Sequence, residues 1–337
     1  MSFTVTVAPS GYQFKVEPNE ILLDAALRQG IDLPYGCGEG SCGACLAPLL
    51  EGEVSYPDDE LPIALDDDSE GQCLPCTAIV RSNLTIEIEE FQINNEVPKE
   101  VIDISTIPCR VEKIEYLTSD VMRLLLKLPP NQNLKFLAGQ YLKLFISDGT
   151  YRNFSIANAP HNANFIELHI KKFGGGSFMK WIFEEMAEKS ILKIEAPFGE
   201  LRLNEKSSKS LIFVGGGTGF APLKSLIEHA IEMKINKEMF FFWGAKTEDD
   251  LYLNELPKKW SEEFSNFHYI PVLSSPSNSW LGKAGWVHDA VLSNIDDISK
   301  YDVYMAGPPA MLSAARESFL QKNMNKSQLH YDPFEFD

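Results

Sequence analysis

The amino-acid sequence predicts a multidomain chain that combines α+β and α/β folds. Its 337 residues are more than one hydrophobic core usually organises, which indicates two or three domains. An N-terminal part with strands and a helix gives way near Ile107 to short strands separated by turns. Farther on, a buried strand at residues 211–214 leads through a glycine-rich turn into a helix. These patterns predict a small mixed domain, an antiparallel β-barrel and a Rossmann-like parallel domain.

The N-terminal elements follow from local patterns. Residues 3–7 and 12–16 have the alternation of strands and flank a Pro-Ser-Gly turn. Asn19 is a suitable N-cap for a helix over residues 20–29, and Gly30 can end that helix. Two further strands are expected near residues 46–50 and 84–88, after the cysteine-rich loop.

Four cysteines carry the strongest chemical signal of the chain: Cys37, Cys42, Cys45 and Cys76. The first three have the Cys-x4-Cys-x2-Cys spacing that plant-type ferredoxins use to bind a [2Fe–2S] cluster. The residues between them are mostly Gly, Ser and Ala, which let the backbone approach a cluster closely. With two strands and a helix before it, this loop resembles the β-grasp ferredoxins, and the resemblance implies Cys76 as the fourth ligand.

Two alternatives stay open for these cysteines. Cys73 could be the fourth ligand, although the tripeptide Leu-Pro-Cys that ends at Cys76 resembles the ferredoxin segment better. A zinc site could combine Cys42 and Cys45 with Cys73 and Cys76, but it would leave Cys37 and the glycines without a role. A disulfide framework is not expected, because a long chain with six cysteines and no secretion signal indicates a reducing compartment.

The charge is strongly acidic and unevenly distributed. The chain carries a net charge of −18, and residues 1–92 alone hold 17 acidic against 3 basic residues. This surface could simply be solvated, or it could steer a basic redox partner toward the cluster. The same charge disfavours nucleic acid as a partner. No apolar stretch reaches the roughly 18 residues of a membrane helix, so we expect no membrane span and a cytoplasmic location.

The predicted barrel contains a strand with flavin-binding character. The segment Arg-Asn-Phe-Ser at residues 152–155 resembles that strand in the ferredoxin–NADP reductase superfamily. The resemblance implies that Arg152 binds the flavin phosphates, Phe154 stacks on the ring and Ser155 lies near the reactive nitrogen N5. It implies three further cofactor-binding residues: Ile156, His169 and Lys171.

A glycine run follows the barrel strands. Gly175, Gly176 and Ser177 precede an apolar, helix-like segment at residues 178–183. Exposed amides at the start of a helix bind phosphate, and glycines let the backbone come close, so we expect these residues to bind the flavin phosphates. The alternative is a flexible hairpin tip.

The third region has the strand, glycine turn and helix that hold a dinucleotide pyrophosphate. Residues 215–222, Gly-Gly-Gly-Thr-Gly-Phe-Ala-Pro, do not fit G-x-G-x-x-G but resemble the Gly-Gly-Thr-Gly-x-Ala-Pro segment of the same superfamily. A second loop at residues 302–311 resembles its other nicotinamide-side segment. The implied dinucleotide-binding residues are Gly216, Gly217, Thr218, Gly219, Pro222, Gly307 and Pro308.

The C-terminal segment completes the resemblance. Asp332 and Phe334 resemble an acidic-x-aromatic end in which the aromatic ring covers the flavin until nicotinamide displaces it. With Ser155, they are the implied catalytic residues; simple packing of the chain end is the alternative.

Over essentially its full length the chain is therefore identified as a member of the ferredoxin-fused FAD/NAD(P)H reductases of this superfamily. It most resembles the CDP-6-deoxy-Δ3,4-glucoseen reductase type and is similar to the reductase components of Rieske and di-iron oxygenases. The implied domains are a [2Fe–2S] ferredoxin domain at residues 1–92, a linker at 93–106, an FAD-binding barrel at 107–206 and an NAD(P)H-binding domain at 207–337.

The resemblance implies that electrons pass from NADH to FAD, then to the [2Fe–2S] cluster and on to an external acceptor, a dehydrase or oxygenase component. From the charge distribution, this acceptor is expected to dock at the acidic ferredoxin domain. Glu248, Asp249 and Asp250 would repel a 2′-phosphate, which favours NADH over NADPH, whereas Lys246 argues the other way. Two other functions stay open: a non-catalytic redox sensor, and a free-standing flavin or ferric reductase in which the cluster is incidental.

Overall fold

The structure, a computed structural model, describes residues 2–35, 40, 43–57, 61–62, 64–65, 69, 71–89, 91–93, 104–146, 149–174 and 176–333. The chain divides into two units, Met1–Val101 and Ile102–Asp337. Each unit is built around its own cores of buried apolar side chains.

The first unit is a mixed sheet with one helix, the predicted β-grasp arrangement. Its strands are β1 (Phe3–Ala8), β2 (Tyr12–Val16), β3 (Ile31–Asp32), β4 (Ala47–Glu51), β5 (Val54–Ser55), β6 (Gln72–Cys73), β7 (Ile79–Val80), β8 (Leu84–Glu87) and β9 (Gln92–Ile93). The main sheet has the order β2-β1-β8-β4-β6, with β1 antiparallel to β2 and parallel to β8. Two-stranded pairs join β3 to β9 and β5 to β7.

The helix of this unit, α1 (Leu22–Arg28), begins later than the sequence predicts. The prediction that Asn19 caps it is wrong: Asn19 has a φ of +64°, and its Oδ1 accepts a hydrogen bond of 2.9 Å from Arg81 Nη1. Gly30, with a φ of +74°, follows the end of the helix as predicted.

Backbone carbonyls near Cys76 take the place of a side-chain cap. The amide of Leu22 donates to the Ala78 carbonyl and that of Leu23 to the Pro75 carbonyl, each over 2.9 Å. These bonds satisfy two of the amides that the first turn of a helix leaves open. They also fix the segment on both sides of Cys76 against the start of α1.

The second unit begins with an antiparallel barrel. Its strands are β10 (Ser105–Tyr116), β11 (Val121–Lys127), β12 (Tyr141–Phe145), β13 (Tyr151–Ser155), β14 (Ile166–Lys171) and β15 (Ile191–Phe198). Their order is β13-β12-β15-β10-β11-β14, and a bridge between Ile156 and Leu168 joins the two edges into a nearly closed barrel. Helix α2 (Ser177–Lys180) follows β14 and continues as a π-helical turn over Trp181–Glu185.

A parallel sheet with helices forms the rest of this unit. Its strands are β16 (Ser210–Gly216), β17 (Met239–Ala245), β18 (Phe267–Leu273), β19 (Lys283–Ala284), β20 (Tyr301–Gly307) and β21 (Leu329–Pro333). Its helices are α3 (Phe220–Glu232), α4 (Glu255–Glu263), α5 (Val287–Asn294) and α6 (Pro309–Gln321). The sheet order is β19-β18-β17-β16-β20-β21, and every neighbouring pair is parallel.

The order of these strands creates a topological switch point. The chain runs outward from β16 to β19 on one side and then returns to place β20 on the other side of β16. Both faces of the sheet are covered, since Phe213 and Phe241 belong to one apolar core and Val214 and Phe242 to another. Open α/β sheets bind ligands outside the carboxyl ends of the two strands that flank such a point.

Strands occupy both ends of the predicted linker. Ile93 belongs to β9, and Ser105 and Thr106 belong to β10, while residues 94–103 lie outside the described residues. Within the described part of the chain, no helix is both long and apolar enough to cross a bilayer.

Candidate functional site

Two of the four predicted cluster ligands lie side by side in the first unit. The Sγ atoms of Cys45 and Cys76 are 3.1 Å apart, and both residues are only 3% exposed. Cys45 precedes β4 and Cys76 follows β6, two strands that pair with each other. Cys37 and Cys42 fall outside the described residues.

Cys73, the alternative fourth ligand, belongs to the same apolar core as Cys45 and Cys76. It lies on β6 opposite Ala47, and its side chain is fully buried in the core of the first unit. Burial raises the pKa of its thiol to about 12, and the nearby Cys45 adds to this effect. The sulfur in contact with Cys45 Sγ is that of Cys76, which supports the expectation that Cys76 is the fourth ligand.

The surroundings of this cysteine pair fit a sulfur-rich group. Thr77 Oγ1 is buried and has no hydrogen-bond partner among the residues that the structure describes. Gly40, in the cysteine loop, has a φ of +85°, and a Cβ there would lie 2.7 Å from Pro62 Cβ and 3.1 Å from Thr77 Oγ1. Sulfur ligands, a buried hydroxyl donor and a glycine that permits close packing suit a [2Fe–2S] cluster.

In the second unit, β13, the predicted flavin-binding strand, lies close to the glycine turn before α2 that is predicted to bind phosphate. Arg152 and Phe154 lie two apart on β13 and therefore share a face of the sheet. The Arg152 guanidinium lies 5.8 Å from the ring centre of Phe178, and the Phe154 ring stacks on the same ring with centroids 6.1 Å apart. Phe178 directly follows Ser177, so strand and turn converge. Ser155, at the end of β13, is 6% exposed.

The phosphate turn has room for a ligand. Gly174 has a φ of +62°, and Gly176 immediately precedes α2. A Cβ added at Gly176 would meet nothing within 4 Å, so the backbone there can be approached closely. Gly175 lies outside the described residues.

Three other predicted flavin residues engage the protein itself. Ile156 is fully buried in the barrel core, and its amide donates to the Gln140 carbonyl over 3.0 Å. The His169 side chain is also fully buried, with both ring nitrogens in hydrogen bonds to other side chains. Both side chains are therefore engaged within the protein. Lys171 Nζ lies 3.4 Å from Asp120 Oδ2 at the end of β14.

The first nicotinamide-side loop turns tightly after β16. Gly217 has a φ of +52°, and a Cβ there would meet nothing within 4 Å, which leaves open space beside the backbone. At Gly219, by contrast, a Cβ would lie 1.9 Å from the Ala306 carbonyl oxygen. The indole nitrogen of Trp243 donates to the Gly217 carbonyl over 3.0 Å and fixes the turn. Thr218 is half-buried in the same turn, and Pro222 is buried in the first turn of α3.

The second loop packs directly against the first. Gly307, at the end of β20, has a φ of +152°, and a Cβ there would lie 3.0 Å from the Gly216 amide nitrogen. A Cβ at Gly216 would in turn lie 2.9 Å from Pro308 Cδ. The two loops therefore meet backbone to backbone at the switch point between β16 and β20, where a dinucleotide is expected to bind.

The chain end reaches the same edge of the sheet. Asp332 lies on β21 opposite Ala306, and Pro333 lies opposite Gly307. Phe334 follows directly but falls outside the described residues.

A buried charged group at this site was not predicted. Lys224 on α3 contacts Glu167 on β14 and Glu228 on its own helix. The signal in the sequence was a lysine on the otherwise apolar face of the helix that follows the glycine turn. Its partner on β14 could not be identified from spacing, because the contact joins residues 57 positions apart.

Three protein-family models match successive parts of the chain. A 2Fe-2S iron-sulfur cluster binding domain matches residues 5–81, an oxidoreductase FAD-binding domain matches residues 108–203 and an oxidoreductase NAD-binding domain matches residues 213–317. Their order is the order of the three sites described above.

Curated relatives match over nearly the whole length. The CDP-6-deoxy-L-threo-D-glycero-4-hexulose-3-dehydrase reductase of Yersinia pestis is 35% identical over 334 residues, which are 99% of this chain and 99% of that protein. Reductase component 1 of terephthalate 1,2-dioxygenase from Comamonas sp. is 31% identical over 99% of this chain and 98% of its own.

Solved structures show the same arrangement of elements. The cytochrome P450 reductase GcoB of Amycolatopsis has a TM-score of 0.79 at 26% identity, over 98% of both chains. The ferredoxin reductase in carbazole 1,9a-dioxygenase has a TM-score of 0.72 at 26% identity, over 99% of both chains.

Proposed function

The chain belongs to the ferredoxin-fused FAD/NAD(P)H reductases of the ferredoxin–NADP reductase superfamily, and from that premise we propose that it takes electrons from NADH and delivers them to a partner dehydrase. It is an electron-transfer oxidoreductase with a [2Fe–2S] cluster, FAD and a nicotinamide dinucleotide as cofactors. When bound, these groups supply a route from a two-electron hydride donor to a one-electron carrier.

The residues of the chain bind and orient these groups. The open backbone at Gly217 and the switch-point loops would receive the dinucleotide pyrophosphate. Arg152, with its guanidinium beside Phe178, would hold the flavin phosphates, and the backbone amides at Gly176 would complete that site. Cys45 and Cys76, with Cys37 and Cys42, would ligate the cluster. Ser155 would lie beside the reacting edge of the flavin.

One observation carries this proposal: the thiol pair of Cys45 and Cys76 occurs in the same chain as two glycine loops packed at a switch point. A one-electron cluster and a hydride donor need a two-electron intermediary between them, and the barrel with Arg152 and Phe154 would provide its site. A dye assay tests the reductase activity. NADH should reduce ferricyanide in the presence of the FAD-loaded protein, and absence of this reaction would favour a non-catalytic sensor instead.

The preference for NADH is supported by acidic residues near the predicted ribose end. Glu248 and Asp249 are exposed in the turn after β17, next to the strand that ends in the glycine loop. Asp250 is engaged within the turn, because its carboxylate accepts hydrogen bonds from the amide and hydroxyl of Thr247. Two exposed carboxylates would repel a 2′-phosphate. Comparable kcat/KM values for NADH and NADPH would overturn this preference.

The proposed acceptor is a deoxysugar dehydrase, as the name of the Yersinia pestis relative suggests. A ring-hydroxylating or di-iron oxygenase is the second candidate, because oxygenase reductase components are 31–34% identical. Docking is proposed at the acidic ferredoxin domain, which holds 17 acidic and 3 basic residues up to position 92. We propose the cytoplasm as the location, because thiols stay reduced there. Co-purification of an oxygenase component rather than a dehydrase would decide for the second candidate.

The domain boundaries remain part of the proposal. We place the ferredoxin domain at residues 1–92, the linker at 93–106, the FAD domain at 107–206 and the NAD(P)H domain at 207–337. Limited proteolysis of the loaded protein should cut first within the proposed linker.

A further inference from the structure

Lys224 is a buried positive charge in the second unit. Its side chain is 6% exposed, and its Nζ lies 3.1 Å from Glu167 Oε2 and 2.9 Å from Glu228 Oε1. The same nitrogen donates to the Ala157 carbonyl over 3.2 Å. A lysine is almost never buried unless its charge is paired, so these partners are what make the position possible.

The partners of Lys224 come from both parts of the second unit. Glu167 lies on β14 of the barrel, whereas Glu228 lies one turn farther along α3. Ala157 follows β13 and stands only two residues after Ser155. Lys224 therefore joins the helix of the nicotinamide loop to the end of the flavin strand.

Neighbouring side chains reinforce this junction. Ser225 Oγ donates to the Asn158 carbonyl over 2.9 Å, and the Ala159 amide donates to Glu228 Oε2 over 3.3 Å. Asn158 also accepts a hydrogen bond of 2.8 Å from the Glu167 amide through its Oδ1. One turn of α3 is thus bonded to three consecutive residues that follow the flavin strand.

The other end of α3 is attached to the glycine loop. The helix begins at Phe220, directly after Gly219, which packs against the Ala306 carbonyl. The Phe220 ring stacks on Trp243 with centroids 4.3 Å apart, and Trp243 holds the Gly217 carbonyl. Because loop and helix are fixed to each other, a shift of α3 against the barrel would move the loop relative to Ser155.

A second pair of side chains fixes the orientation of Glu167. His169 Nε2 lies 2.9 Å from Glu167 Oε1, and His169 Nδ1 lies 2.9 Å from the Tyr252 hydroxyl. Burial lowers the pKa of His169, which keeps its imidazole neutral at pH 7. The Glu167 carboxylate, which pairs with Lys224 through Oε2, is therefore also fixed by a hydrogen bond at Oε1.

We propose that Lys224 is a positioning residue, which sets the nicotinamide-binding loop against the flavin strand for hydride transfer. An apolar contact between helix and barrel could slide, whereas a desolvated charge with fixed partners is satisfied in one arrangement only. Hydride transfer depends steeply on such placement, since a misplacement of about 1 Å can reduce a rate on the order of 100-fold. This role of Lys224 rests on the proposed function.

The test is the rate constant for reduction of bound FAD by NADH, measured by stopped flow without any acceptor. Lys224→Met keeps an unbranched side chain, one atom shorter, but removes the charge. We expect the limiting rate at saturating NADH to fall about tenfold or more, while the FAD content and the Kd for NAD⁺ change by less than about threefold. Lys258→Met is the matched control, because Lys258 is exposed on α4 and pairs only with Glu255 among the described residues. It should react like the unmodified protein.

A limiting rate for Lys224→Met within twofold of the unmodified protein would overturn the positioning role. If Lys224→Met does not fold with FAD, Glu167→Gln decides, since the amide keeps the shape and one oxygen acceptor but loses the charge. A fall of about threefold or more in the limiting rate with FAD retained supports the role, and an unchanged rate overturns it. Absence of FAD reduction in the unmodified protein would instead contradict the proposed function itself.

Discussion

At the scale of single residues, the sites depend on positions where close neighbours restrict which side chain can fit. The thiols of Cys45 and Cys76 are in contact, and Cys73, three residues before Cys76, belongs to the same core. At Gly219, the Ala306 carbonyl oxygen lies where the Cβ of a side chain would be. A substitution at each of these positions has a specific expected effect, because it removes one ligand or adds one steric clash.

Cys76→Ser should abolish binding of the cluster, because a serine oxygen is a poor replacement for a thiolate on iron. Visible absorbance and electron paramagnetic resonance of reconstituted, reduced protein measure this directly. Cys73→Ser is the matched control and should keep the cluster signal. Retention of the signal in Cys76→Ser together with its loss in Cys73→Ser would reverse the ligand assignment.

Gly219→Ala should block the nicotinamide side, since the added Cβ would lie 1.9 Å from the Ala306 carbonyl oxygen. The loops at the switch point must separate, and we expect NADH-dependent ferricyanide reduction to fall on the order of 100-fold with FAD still bound. Gly215→Ala in the same segment is the control, because its Cβ would lie 3.2 Å from Leu223 Cδ1 and 3.3 Å from Phe241 Cε2, contacts that shifts of a few tenths of an ångström relieve. Equal activity of the two variants would show that the loop can shift without loss.

At the scale of elements, strands and glycine turns could be predicted, but contacts between distant elements could not. The strand at residues 12–16 and the helix after Pro222 follow from local alternation and from a glycine turn, and both are present. The start of α1 was misplaced, because carbonyls near Cys76 cap it and Asn19 does not. Lys224 was missed for the same reason, since its partner on β14 becomes a neighbour only in the folded barrel.

The junction between β14 and α3 should contribute to stability in a pH-dependent way. Burial opposes ionisation of Glu167, but the hydrogen bond from His169 and the charge of Lys224 outweigh it and lower its pKa to about 2. A carboxyl group whose pKa is lowered by folding stabilises the fold at pH values above its ordinary pKa. This contribution to stability is lost as the pH falls toward 2. Glu167→Gln should therefore lower the thermal midpoint at pH 7, with the difference shrinking between pH 5 and pH 3. A difference that grows on acidification would contradict the ion pair.

At the scale of the whole molecule, the cluster and the flavin site should be separable by choice of acceptor. Cys42→Ser should keep NADH-to-ferricyanide activity, because ferricyanide accepts electrons from the flavin directly, and should lose reduction of cytochrome c. Spectrophotometric assays of both acceptors with one preparation make the comparison. Unchanged cytochrome c reduction would favour a flavin reductase in which the cluster is incidental.

The charge distribution predicts how salt affects these two reactions. The acidic first part should attract the basic protein cytochrome c, so its reduction rate should fall as ionic strength rises. Ferricyanide is a trianion, and residues 93–337 carry 31 acidic and 27 basic residues, so its reduction should not slow as ionic strength rises. The same salt slope for both acceptors would argue against docking at the ferredoxin domain.

An anaerobic electron count tests most directly whether one polypeptide joins a two-electron donor to a one-electron carrier. Protein loaded with iron, sulfide and FAD is titrated with NADH and then with dithionite, while flavin absorbance and the cluster resonance are followed. We expect uptake of about three electrons per chain, with the cluster resonance appearing after NADH alone. Uptake of about two electrons without any cluster resonance would contradict the account.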